Sequence, residues 1–83
     1  MSSEEIMPKV KNFVGQYLNT DALDYDLDLF ASGMVNSLFA MQLVLFVEKE
    51  YGFKVENDDL DIENFKSLNA IDAFIKRKLA ITA

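Results

Sequence analysis

Apolar positions recur at helical spacing in three stretches of the chain. In the first, Ile6, Val10, Phe13, Val14 and Tyr17 predict an amphipathic helix over residues 4–18. Ser2 with Glu5 fits a capping box at its start. Pro8 is comfortable only in a first helical turn, and Gly15 weakens the end. The second stretch predicts a helix over residues 37–51, with Asn36 as N-cap and Gly52 as its stop. The third predicts a helix over residues 67–79, begun by Ser67 and buried through Leu68, Ile71, Phe74, Ile75 and Leu79. Lys76, Arg77 and Lys78 fall in its expected last turn, where cations suit the helix dipole. A short helical turn is expected over residues 58–64. No stretch alternates long enough for a strand. The expected fold class is all-α, a small four-helix bundle of three longer helices and a short third one.

The second helix has two apolar faces. Phe39, Leu43, Phe46 and Val47 share one side with Ala40 beside them, an ordinary core stripe. Leu38, Met41 and Leu45 collect on the other side, flanked by Gln42, Glu48 and Lys49. A bundle this small does not easily cover both sides. Either a partner docks on the second face, or the loop before it or the short third helix folds over it. That loop, residues 19–36, has no sustained period. Long loops in small domains are often functional. Leu27, Leu29 and Phe30 are its expected anchors on the core.

Composition narrows the chemistry. A chain of 83 residues is expected to form one domain, residues 1–83. It has no cysteine and no histidine, which removes thiolate metal sites, the usual general base and a Ser-His-Asp arrangement. An autonomous enzyme is not expected. The net charge is −6 and uneven: residues 21–63 hold eleven acids against Lys49 and Lys54 alone. Nucleic acid, which favours a basic face, is a poor partner. Basic proteins are better ones. Two acidic runs look like calcium loops and are not. A loop begun at Asp24 needs glycine and glutamate where Leu29 and Val35 stand, and one begun at Asn57 meets Ile62 and Leu68. The longest apolar run, residues 43–47, is too short to span a membrane. Without a basic, apolar leader the chain reads as soluble and cytoplasmic.

One constellation changes the picture. Ser37 opens the two-faced helix, where the helix dipole favours an anion. By position alone it is an ordinary first-turn serine. Around it stands Asp28-Leu29-Phe30-x-x-Gly33-x-x-x-Ser37-Leu38. This resembles the attachment-site signature of the acyl and peptidyl carrier proteins. The helix order, and Glu63-Asn64-Phe65 ahead of Ser67, extend the resemblance over nearly the whole chain. The family usually has aspartate directly before the serine. Here it is Asn36, which keeps the cap and removes a charge.

The resemblance implies a carrier whose Ser37 bears 4'-phosphopantetheine, attached by a separate phosphopantetheinyl transferase. It implies a monomeric protein that presents an acyl thioester to loading, modifying, acyltransferase or synthase enzymes. Those partners would read Leu38, Met41, Leu45 and Glu48. Within the family, the stretch from Asn36 to Glu48 and the run from Asp59 to Phe65 look like stand-alone carriers of unusual extender units. These are hydroxymalonyl, methoxymalonyl, aminomalonyl or glyceryl groups of polyketide or hybrid nonribosomal pathways. A D-alanyl or aminoacyl carrier is the close alternative. A fatty-acid carrier fits less well, because Gln42 and Lys49 replace acids common there. A helical docking domain without a cofactor is the reading from another class.

Overall fold

The computed structural model describes residues 3–19 and 23–82. Helix α1 is Ser3–Val14, α2 is Ser37–Tyr51 and α3 is Leu68–Thr82. No strand occurs among the described residues. The bounds of α2 follow from its ends. Asn36 is extended, at φ −140°, and its Oδ1 accepts from the Leu38 and Phe39 N–H groups. A cap of this kind contributes about 1 kcal/mol. Gly52 adopts the left-handed region at φ 74° and returns its N–H to the Glu48 carbonyl at 3.0 Å.

Helix α1 stops four residues short of the expected end. At Gly15 the chain tightens into turns, with Gln16 and Tyr17 donating to the carbonyls of Phe13 and Val14. Tyr17 therefore leaves the buried stripe. It is 48% exposed and meets Phe39 edge-on at 5.2 Å. Pro8 lies inside α1 and does not end it. The capping box expected at Ser2 lies outside the described residues.

A continuous short third helix does not form. Two 3-10 turns, Asn57–Asp59 and Ile62–Asn64, take its place. Local side chains explain the break. The Asp59 carboxylate folds back onto the Glu56 N–H at 2.9 Å, and Asp61 Oδ1 accepts from the Glu63 N–H at 3.0 Å. Each aspartate closes or starts its own turn, as short acceptors do in competition with helix. Leu60 between them has a non-helical ψ of 58°. The result is three helices and two turns among the described residues, in place of four helices.

Helix α3 is the spine. It packs against α1, α2 and the second 3-10 turn. Phe74, Ile71 and Ile75 are fully buried beside Ile6, Val10, Leu43 and Val47. Ser67 caps it by accepting from the Ala70 N–H at 3.1 Å. Because α3 continues to Thr82, Lys76, Arg77 and Lys78 lie a turn before its end and serve as pairing groups. Lys76 reaches Asp72, Arg77 reaches Asn64, and Lys78 reaches Asp59. The hydrogen bonds from Lys78 and from the Glu56 N–H hold the Asp59 carboxyl below the usual carboxylate range.

The loop before α2 is anchored as expected. Leu29 is fully buried, and its N–H donates to the Lys66 carbonyl at 2.7 Å. Leu27 and Phe30 are half-buried. No helix among the described residues is long and apolar enough to cross a membrane.

Candidate functional site

The site is assembled from the loop and the first turns of α2. Asp28 Oδ1 accepts from the Phe30 and Ala31 N–H groups at 3.1 and 3.0 Å, which closes a tight turn. Gly33 ends that turn at φ 79°, donating to the Phe30 carbonyl at 3.1 Å. A side chain there meets no neighbour, so the demand for glycine is one of backbone conformation and not of space. Asn36 then starts α2. The motif residues Asp28, Leu29, Phe30, Gly33 and Asn36 thus shape and anchor the loop that delivers Ser37.

Ser37 is exposed at the first position of α2. The amides expected to greet an anion there are partly taken. Asn36 Oδ1 holds those of Leu38 and Phe39 at 3.1 and 3.3 Å. What remains for a phosphodiester on Ser37 is the helix dipole and open solvent.

The outward stripe of α2 is uncovered. Leu38 and Met41 are each 65% exposed, and Leu45 is 59% exposed. The 3-10 segment stands beside this face without closing over it. Between the two lies an open cleft of about 520 Å³ that begins at Ser37. Met41, Val44 and Leu45 form one wall, Leu60 and Ile62 the other, with Phe30 and Phe65 beneath. Asp61 is the charged group on its rim. Leu38 points elsewhere, into a smaller groove of about 200 Å³ shared with Tyr17, Met34 and Phe39.

Two residues depart from the expected arrangement. Glu48, expected to face partners, is half-buried, and its Oε2 accepts from the Val55 N–H at 2.9 Å. It ties α2 to the segment that follows. Ala40, placed with the core stripe, is half-buried and lines the cleft. Phe46 keeps its place on the core stripe, packed against the core and stacked on Phe13 at 4.6 Å. The second wall was expected only as a short third helix that folds over this face, without Leu60 and Ile62 being named. Leu60 and Ile62 alternate with acids between Asp59 and Glu63, and that alternation is the signal that marks them.

A family model for the phosphopantetheine attachment site matches residues 8–75. An acyl carrier protein of Thermotoga maritima is 34% identical over 80 residues, covering 94% of this chain and 96% of that protein. The chain belongs to the phosphopantetheine-binding acyl carrier protein family. It is a carrier with a 4'-phosphopantetheine arm, and not an enzyme. The docking domain without a cofactor is set aside. The residues present suit the arm: an exposed serine hydroxyl, a favourable helix end and no buried charge beside it. Carriers of this family work with a phosphopantetheinyl transferase and acyl-handling enzymes.

Proposed function

We propose that Ser37 carries the arm and that this chain is a discrete, monomeric, cytoplasmic carrier of one domain. The exposed hydroxyl of Ser37 at the mouth of the cleft supports this most directly. The arm, when bound, supplies a terminal thiol that holds the acyl group as a thioester. Ser37 needs only to offer its Oγ to the transferase, which brings the base and metal. Asn36 and Gly33 hold that oxygen forward of the bundle.

Leu38, Met41 and Leu45 are the proposed contacts for partner enzymes. Their exposure supports a brief, small interface. Glu48 stays in the proposal only through its outer carboxylate oxygen, since the other is engaged by Val55. Met41→Glu is expected to slow transfer of the arm severalfold. Its melting temperature should move by less than about 4 °C, as for an exposed position. A larger drop in thermal melting shows Met41 to be a packing residue.

For the cargo we propose an unusual hydroxy-, methoxy- or aminomalonyl or glyceryl unit of polyketide or hybrid nonribosomal synthesis, with a D-alanyl or aminoacyl group as alternative. The cleft offers a polar acyl group little beyond Ser37 and Asp61, so such a cargo stays in solvent. The same apolar lining favours a second reading, an aliphatic acyl group held against Met41, Leu45, Leu60 and Ile62. Intact-mass measurement of the protein from its native host separates these readings. A polar malonyl-type or glyceryl mass on the arm is expected. An aliphatic acyl mass overturns the first reading and supports the second.

A further inference from the structure

The outer wall of the cleft is held in an unusual way. Leu60 and Ile62 are 57% and 54% exposed, so burial contributes little to their placement. The segment is pinned at both ends. Before it, Val55 donates to Glu48. After it, Phe65 is buried against Phe74, ring centres 5.1 Å apart. Between these pins, its ties to α3 are polar. Asp59 Oδ2 accepts from Lys78 Nζ at 2.8 Å, and Asn64 Oδ1 accepts from Arg77 Nη2 at 2.8 Å. Asn64 Nδ2 also donates to the Asp59 carbonyl at 2.8 Å, joining the two contacts into one network. The Lys66–Glu63 pair at 2.6 Å stays on the outside and does not tie the segment to α3.

We infer that the Asp59–Lys78 ion pair is a latch that fixes this wall, and so the width of the cleft, independently of the helical core. The Lys78 side chain is 13% exposed and that of Asp59 23% exposed. Both are partly screened from solvent, so the pair holds more firmly than an exposed one. With the latch broken, residues 57–64 lose one of their two polar holds on α3, the charged one, while Val55 and Phe65 stay in place. Leu60 and Ile62 then move away from Met41 and Leu45. The consequence for cargo rests on Ser37 being the attachment point. The latch itself does not.

The test uses the unmodified full chain, so a failure of the Ser37 reading leaves it unaffected. Amide exchange with water is measured residue by residue by NMR. In Lys78→Met, exchange at Leu60, Asp61 and Asn64 should accelerate about tenfold, with core amides of the three helices changed less than about twofold. Lys76→Met, which breaks the Asp72 pair on the same helix, should leave the segment as it was. Unchanged exchange at residues 57–64 in Lys78→Met, an equal rise throughout the helices, or the same local rise in Lys76→Met overturns the latch. Should Lys78→Met fail to fold, Asp59→Asn decides, since its one side-chain oxygen can keep both the Glu56 N–H and Lys78 while the charge is lost. A smaller local acceleration of about threefold is expected, and its absence overturns the ion pair as the latch.

Discussion

Ser37→Ala is expected to abolish uptake of phosphopantetheine completely while leaving the fold intact. The reaction needs an oxygen at this position, because the new bond is a phosphate ester of the side chain. Alanine provides none and no neighbouring group replaces it. Ser32, the nearest serine in sequence, has its Oγ directed to the Leu29 carbonyl at 2.9 Å within the tight turn. The fold should tolerate the change. Ser37 is exposed, and alanine is the better helix former, so stability should move by less than about 0.5 kcal/mol. The measurement is intact mass after incubation with coenzyme A and a broad-specificity transferase. The unmutated chain should gain one arm and Ser37→Ala none, with equal circular dichroism. A variant that still gains the arm moves the attachment point elsewhere, and Ser32→Ala then tests the next candidate.

Phe74→Ala should have the largest effect on stability. Phe74 is fully buried on α3, with the Phe53 and Phe65 rings at 6.0 and 5.1 Å, both at steep angles. Aromatic pairs of this geometry add to the simple loss of burial. Truncation of such a residue costs about 3–5 kcal/mol, comparable to the whole stability expected of so small a domain, about 5 kcal/mol. The variant should keep no more than about 2 kcal/mol of stability at 25 °C, as read by chemical denaturation. A loss below about 1.5 kcal/mol means that the neighbours collapse into the gap. Phe65 makes the effect reach the site, since it packs on Phe74 with one side and floors the cleft with the other. Loss of Phe74 therefore loosens the cleft even in molecules that stay folded.

The contrast between these two substitutions separates what local sequence encodes from what packing adds. Helix α2 was legible to the residue. Its limits depend on one side-chain cap at Asn36 and one left-handed glycine at Gly52, both decided within a turn of chain. The core stripes of α2 and α3 were legible for a similar reason, since a helical period sets which side chains share a face. The third helix was misread because Asp59 and Asp61 can support helix or interrupt it. In the fold Asp59 turns to the Glu56 N–H and to Lys78, nineteen residues away, and Asp61 turns to the Glu63 N–H. Glu48 was misread for the same kind of reason. Its partner, the Val55 N–H, comes within reach only after the chain reverses at Gly52.

Ser37 with its turn is thus a property of the sequence by itself. Asp28, Gly33 and Asn36 act through hydrogen bonds and a dihedral angle spanning at most three residues, and such terms need no tertiary fold. The cleft beside it is a property of the tertiary structure alone. Its two walls lie far apart along the chain, and neither carries a periodic signal that names the other. They meet because α3 holds both, through the shared core of Leu43 and Val47 with Ile71, Phe74 and Ile75 on one side and the Asp59–Lys78 pair on the other.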